Sequence, residues 1–177
     1  MQDHNPDVIV PASLRGNYQK EIDKHTKGGH PHNIMSYEKA SKMEKATSKA
    51  LVMDEPQAIG HAETQRSRTL AGRGAEYERK LLLTGTPIRN HPAELAPLVN
   101  LLKGEKILPT EKKEFEAKYV QAVMSNPGFF AKNILGRKPT MTGEYQIKNA
   151  EELEKILDGH VDYHMPEQKN FPSKAEE

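Results

Sequence analysis

Two adjacent carboxylates, Asp54 and Glu55, directly follow an apolar run over residues 50–53. Such a run indicates a strand covered on both faces, and open α/β sheets bind ligands at the carboxyl ends of such strands. Burying two carboxylates at a strand end is costly, so a purely structural role does not account for their presence. One carboxylate on Mg²⁺ and a second near the attacking water would suit hydrolysis of a nucleoside triphosphate. The alternative is a strand that ends in a solvated turn at Pro56.

A second apolar segment, over residues 80–84, ends in the small polar sequence TGTP and continues to Asn90. Hydroxyl groups at a strand end beside the acid pair are suited to sense a γ-phosphate and to pass its loss to neighbouring loops. The alternative is an ordinary Gly-Pro turn followed by a helix N-cap. The two motifs together favour the nucleotide interpretation more strongly than either does alone.

The elements that must position these residues alternate along the chain. Strands are predicted at 8–11, 33–37, 50–54 and 80–84. Helices are predicted from an N-cap at Ser13, over 37–49 and 67–80, and over 91–104 with Gly104 as the stop. This alternation predicts an α/β fold with a parallel sheet covered on both faces.

The pattern changes after Gly104, which suggests a core domain over 1–104 and a helical appendix over 105–177. The appendix is predicted to contain a helix over 109–124, an irregular segment over 125–149, a helix that is capped by Asn149 and stops near Gly159, and a strand over 160–166. Phe115, Tyr119 and Val123 would share one face of the first of these helices.

Composition limits the function classes. The 177 residues contain 26 basic and 25 acidic side chains, so contact with nucleic acid requires a local patch rather than a strong overall field. The absence of cysteine excludes disulfides, thiolate zinc sites and a cysteine nucleophile. No run approaches membrane-spanning length and no signal pattern is seen, so we expect a cytoplasmic protein, in a bacterium or in the host cell of a virus.

Several motifs together resemble a known family. The segments VIVPASLRGNYQKEI, NIMSYEKASK, ALVMDEPQAIGHAETQRSRTL and KLLLTGTPIRNHPAELAPLVNLL occur in the order and approximate spacing of the Swi/Snf-type branch of superfamily 2 helicases. These are ATP-driven DNA translocases with two RecA-like lobes. The resemblance covers most of the chain and ends at FPSK, which is similar to the LPxK leading into the second lobe. It implies a partial RecA-like first lobe, a three-layer fold of the P-loop NTPase type.

The resemblance also implies roles for individual residues, with Mg²⁺ and ATP at the site. Asp54 would hold the Mg²⁺, Glu55 would position or deprotonate the hydrolytic water, and Gln57 would link the nucleotide site to the TGTP loop. A second set of residues would couple hydrolysis to lobe movement: Thr84, Gly85, Thr86 and Asn90. A third set would lie near the DNA backbone: Pro11, Ser13 and Ser36.

The sequence also departs from that family. It contains no G-x-x-x-x-G-K-[ST] motif, it lacks the second lobe with its arginine fingers, and it has proline after the acid pair where alanine is usual. We therefore expect a portion of a translocase that works with a complementary P-loop segment and a second lobe. Two alternatives are a non-catalytic module that binds DNA or a partner, and a metal-dependent hydrolase using His25, His30 and His32.

We predict that this chain alone neither binds MgATP tightly nor hydrolyses it. Phosphate affinity in P-loop enzymes comes from consecutive backbone N–H groups and a lysine, and the acid pair by itself repels a triphosphate. Calorimetric titration with MgATP and a phosphate-release assay test this, after a circular-dichroism melt has shown that the protein is folded. Micromolar binding, or DNA-stimulated release that Asp54→Ala abolishes, would contradict the prediction.

Overall fold

The computed structural model describes residues 5–26, 32–61, 64–125 and 140–162, with the backbone alone at 122–125 and 140–145. Four parallel strands form one sheet in the order β2-β1-β3-β4. The strands are β1 (Asp7–Val10), β2 (Asn33–Ser36), β3 (Ala50–Asp54) and β4 (Arg79–Leu83). The predicted parallel sheet and its four strands are confirmed.

Six helices within the described residues connect these strands or follow them: α1 (Arg15–Thr26), α2 (Tyr37–Ser41), α3 (Gln65–Gly72), α4 (Leu95–Lys103), α5 (Lys112–Tyr119) and α6 (Ala150–Leu157). The prediction of Ser13 as an N-cap is wrong, because Ser13 lies within a 3-10 turn that precedes α1. The prediction that Gly104 ends a helix is confirmed, since Gly104 is the left-handed C-cap of α4 with φ of 75°.

Two predicted helices are shorter than expected. The helix predicted over 37–49 ends at Ser41, and the one predicted over 67–80 ends at Gly72. The backbone between α2 and β3 takes tertiary partners instead of helical ones. The Ala46 N–H donates to the Glu76 carboxylate, and the Lys49 carbonyl accepts from the N–H groups of residues 78 and 79.

The part of the chain after Gly104 mixes helices with strands. The helix predicted over 109–124 stops at Tyr119, and β5 (Val120–Ser125) pairs antiparallel with β6 (Thr140–Ile147) inside the segment predicted to be irregular. Residues 160–162 form no strand, and the rest of the strand predicted over 160–166 lies outside the described residues. Burial of Val120 favours the extended conformation, because a β-branched side chain packs well on a pleated surface.

Helix α4 lies between two hydrophobic clusters. Leu98 and Leu101 belong to the cluster under the sheet, which includes Ile9 and Met53. The opposite side of α4 faces the second cluster, which contains Ala96, Val99, Leu108, Phe115, Tyr119, Val120 and Leu153. Helix α4 therefore packs against the sheet on one side and against α5, β5 and α6 on the other. The domain boundary at residue 104 stays a prediction.

A buried carboxylate joins the amino ends of the strands. Asp7, at the start of β1, is fully buried. It accepts hydrogen bonds from Asn33 Nδ2, from the backbone N–H and hydroxyl of Thr47, and from the Tyr77 hydroxyl. Burial and the Asp7 charge raise the pKa of Tyr77 far above its ordinary value of 10.0, so this hydroxyl remains a donor. Asp7 thus connects β1 and β2 with the segments that lead into β3 and β4.

No helix in the described part of the chain is both long enough and apolar enough to cross a membrane.

We predict that Gly74→Ala destabilises the fold. A Cβ at Gly74 would lie 2.4 Å from the Leu101 carbonyl oxygen and 2.9 Å from the Gly104 Cα, so the backbone would have to move. We expect the free energy of unfolding to fall by about 1–3 kcal/mol, as for other overpacked sites. Urea denaturation followed by circular dichroism measures it. Gly72→Ala is the matched control, because no atom lies within 4 Å of its added Cβ. Equal stability of the two variants would contradict the prediction.

Candidate functional site

The pairing of β3 with β4 brings the acid pair beside the TGTP loop. Asp54 is in register with Leu83, and the Glu55 N–H donates to the Leu83 carbonyl at 2.9 Å, one residue beyond the end of β3. Because the strands are parallel, Glu55 and Thr84 emerge at the same edge of the sheet. The structure therefore brings together the two motifs that the sequence places 29 residues apart.

Glu55 adopts a left-handed backbone conformation, with φ of 55° and ψ of 51°. This conformation costs a residue other than glycine roughly 1–2 kcal/mol, and such strain is concentrated at functional sites. The following Pro56 is buried at the first position of a 3-10 turn, Pro56–Ile59, where no backbone N–H is needed. Proline after the acids is therefore compatible with the turn, although alanine is usual there in the family that the sequence resembles.

Gln57 connects the acid pair to the TGTP loop. Its side chain is only 4% exposed. The Gln57 Nε2 donates to Glu55 Oε2 and, at 3.4 Å, to Thr86 Oγ1, while its Oε1 accepts the Thr84 hydroxyl at 2.8 Å. Thr84 Oγ1 in turn accepts the Thr86 N–H at 3.0 Å. One neutral side chain is therefore hydrogen-bonded to Glu55 on one side and to both threonine hydroxyls on the other.

The Asp54 side chain is half-buried at the end of β3. The Tyr37 hydroxyl donates to the Asp54 main-chain carbonyl at 2.7 Å, and no described side chain donates to the Asp54 carboxylate. Burial and then the charges of Asp54 and Glu55 raise the pKa of Tyr37 far above its ordinary value of 10.0, which keeps Tyr37 protonated as a donor. The sequence analysis did not identify Tyr37, and no sequence signal marks it.

The donor set at this edge fits Mg²⁺ better than a metal held entirely by protein. No group of three or more histidine or acidic side chains arranged to hold a metal occurs in the described ranges. Mg²⁺ is usually held by one or two carboxylates together with phosphate oxygens and water. Asp54, with its carboxylate available, meets that requirement. Of the histidines considered for a hydrolase, His25 lies 3.4 Å from Glu21 on the exposed side of α1, and His30 lies outside the described residues.

The chain after the TGTP loop is fixed by two buried side chains that the sequence analysis missed. Glu94 accepts the Arg89 N–H at 2.8 Å and the Asn90 N–H at 3.2 Å. His91 Nδ1 accepts the Ala93 N–H, and His91 Nε2 lies 3.0 Å from the Glu116 carboxylate on α5. Glu94 follows the His91 N-cap by three residues, as in a capping box, but it accepts the N–H groups of residues 89 and 90 and the N-cap is not Ser or Thr, so this sequence signal does not identify it.

The remaining predicted residues lie at the same edge but are not bonded to the acid pair. Pro11 directly follows β1, and its carbonyl accepts the Leu14 N–H at 2.9 Å. Ser13 is exposed in the turn before α1, and Ser36 at the end of β2 caps α2 by accepting the Lys39 N–H. Gly85 and Asn90 are exposed in the loop after β4. The predicted residues therefore form a bonded group at β3 and β4 and a separate group at β1 and β2.

An apolar groove of about 540 Å³ lies beside the end of β4. Pro56, Leu83, Leu98 and Val161 are among the side chains that line it. Strand β4 is at the edge of the sheet, and Leu83 is 43% exposed. The groove thus borders the TGTP loop beside the edge strand β4.

Comparison with known proteins gives three findings. The SNF2-related domain family matches residues 32–177. The termination factor NPH-I homolog of African swine fever virus, in a tick isolate from Pretoriuskop in South Africa and in a warthog isolate from Namibia, is 26% identical over 154 residues. These matches cover 70% of this chain, which spans only 22% of the length of either viral protein.

The third finding is structural. The Sulfolobus solfataricus SWI2/SNF2 ATPase core, solved in complex with dsDNA, superimposes with a TM-score of 0.53 over 87% of this chain and 32% of that chain. The sequence identity is 22%, so this likeness shows the fold. It confirms the predicted partial RecA-like architecture.

We predict that Glu94→Gln weakens the fold and flattens its response to acid. Burial would raise the pKa of Glu94, but the N–H groups of Arg89 and Asn90 outweigh it and hold the pKa below the ordinary value of 4.5. The stabilisation is therefore present above pH 4.5 and is lost as the pH falls through the lower folded-state pKa. At neutral pH we expect the variant to lose about 1–3 kcal/mol of unfolding free energy.

Urea titrations between pH 7 and pH 3 measure both effects. Glu105→Gln is the control, because it removes one charge from an exposed side chain. If Glu94→Gln retained the acid dependence of the parent chain, the Glu94 carboxylate would not stabilise the loop.

Proposed function

The chain belongs to the SNF2-related domain family, and we propose that it contributes the Mg²⁺-ATP hydrolysis and coupling motifs of an ATP-dependent DNA translocase of the Swi/Snf type. The observation that carries this proposal is the hydrogen-bonded group of Glu55, Gln57, Thr84 and Thr86 at one edge of the parallel sheet. A ligand site at this edge is expected for an open α/β sheet. The P-loop and the second lobe would come from a complementary segment.

Two acids with different environments suit the two carboxylate tasks of phosphoryl transfer. The Asp54 carboxylate, which receives no hydrogen bond from a described side chain, would hold Mg²⁺ through its oxygens. Bound Mg²⁺ would neutralise the triphosphate charge at the site. The Glu55 carboxylate is oriented by Gln57 Nε2 and by its own left-handed backbone. We assign Glu55 the role of positioning or deprotonating the hydrolytic water.

Coupling would begin at Gln57, because it contacts Glu55 on one side and the Thr84 and Thr86 hydroxyls on the other. Movement of the TGTP loop, including Gly85, would then reach Asn90. The Asn90 N–H donates to Glu94, and the adjacent His91 contacts Glu116 on α5. Displacement of this loop would therefore shift both α4 and α5. The rest of the translocase would respond through these helices.

DNA would lie along the β1 and β2 end of the same edge. Pro11, Ser13 and Ser36 offer hydroxyl groups and turn backbone, which suit phosphate oxygens and carry no sequence information. The dsDNA in the Sulfolobus complex supports a nucleic-acid partner for this fold. We therefore propose backbone contact with DNA that is independent of base sequence.

We predict that Glu55→Gln abolishes ATP turnover in an assembly that supplies the P-loop and the second lobe. The substitution removes the water-activating charge and leaves Asp54 and the phosphate contacts in place, so nucleotide binding should persist. DNA-stimulated phosphate release and binding of a fluorescent ATP analogue separate the two effects. Glu44→Gln, at an exposed position, should retain turnover.

Two outcomes would count against the proposal. Turnover at the parental rate in Glu55→Gln would remove Glu55 from the mechanism. DNA binding without any hydrolysis by the parental assembly would favour the alternative, a non-catalytic module derived from such a helicase.

A further inference from the structure

Helices α2 and α3 lie side by side, with their first turns close together. The charge of Arg66, in the first turn of α3, acts on Tyr37 and Glu38, the first two residues of α2. At the other end, Arg73 Nη1 donates to the Ala40 carbonyl at 2.8 Å. The two helices therefore run in the same direction. Since α2 begins directly after β2, Arg66 lies at the carboxyl edge of the sheet.

Unlike Lys42 and Lys49, Arg66 has no acidic partner within ion-pair distance among the described residues. Lys42 pairs with Glu38 at 2.5 Å, and Lys49 pairs with Glu78 at 3.2 Å. Arg73 is buried and is used within the fold. Arg66 is exposed, and no carboxylate of the described residues lies within ion-pair distance of it.

The position of Arg66 is also unfavourable for the isolated helix. The first turn of α3 contains no acidic residue. A cation at a helix N-terminus interacts unfavourably with the helix dipole. Within the described residues, the Arg66 charge interacts with Glu38 at longer range but forms no ion pair. An external anion would supply a direct counter-charge.

Ser36 provides a second group at the same end of α2. Its Oγ accepts the Lys39 N–H at 3.2 Å, which uses an acceptor lone pair and leaves the hydroxyl hydrogen to donate elsewhere. A guanidinium and a hydroxyl donor at one strand end suit phosphate oxygens. We infer that the Arg66 guanidinium binds a backbone phosphate of duplex DNA. The Ser36 hydroxyl would bind the DNA backbone beside it, at the β2 end of the carboxyl edge. This inference rests on the DNA binding proposed above and adds a residue to which the sequence analysis assigns no role.

The test compares two arginines by measuring fluorescence anisotropy of a labelled duplex with the full chain over a range of salt concentrations. Arg66→Gln should weaken binding several-fold at low salt and reduce the slope of log K against log salt by about 0.9, the value for one lost phosphate contact. Arg66→Lys should retain the slope because the charge remains. Arg79→Gln removes the same charge from an exposed arginine at the amino end of β4, the opposite edge of the sheet, and should bind like the parent.

Each other result has a defined meaning, provided that the variants melt like the parent. If Arg66→Gln and Arg79→Gln lose affinity equally, the effect is one of net charge and the inference is overturned. Parental affinity and slope in Arg66→Gln overturn the inference while leaving DNA binding by the chain intact. If the parental chain fails to bind any duplex at low salt, the DNA contact proposed for this chain fails, and the role of Arg66 fails with it.

Discussion

The parallel pairing of β3 with β4 is the constraint on which the candidate site depends. Its register sets Asp54 opposite Leu83, and the extra hydrogen bond from the Glu55 N–H extends the ladder by one residue. A slip of one residue would turn the strand's side chains to the opposite faces of the sheet and would separate the acids from Thr84. In this register the Gln57 side-chain amide reaches both the Glu55 carboxylate and the Thr84 hydroxyl.

Much of this arrangement was predictable because it rests on strong local signals. Apolar runs that end in polar loops identified the four strands, and their alternation with helical segments identified a parallel sheet. The same logic places Glu55 and Thr84 at one edge of the sheet. The local detail was less accessible. Nothing in the sequence indicates the left-handed conformation of Glu55, although proline at 56 does disfavour a right-handed helical conformation at the preceding residue.

The helices predicted over 37–49 and 109–124 end early because tertiary partners replace local ones. Residues 42–49 have helix-forming composition, but their backbone groups bond to Glu76 and to the start of β4. Beyond Tyr119 the chain becomes a strand because it pairs with β6, which is distant in sequence. Periodicity within a short window contains no information about such partners. The roles assigned to the site residues, including the DNA contacts, remain proposals because they rest on resemblance and geometry.

The buried carboxylate at the amino edge has a consequence for how the sheet opens. Asp7 holds Thr47, Asn33 and Tyr77 together, far from the loops at the carboxyl edge. The backbone N–H of Thr47, bonded to a fully buried acid, should exchange with solvent deuterium only when the whole sheet unfolds. The Thr86 N–H, in an exposed loop, should exchange through local opening. We therefore expect slower exchange at the amino edge than at the carboxyl edge, which would let the loops proposed to respond to nucleotide rearrange while the strands keep their spacing.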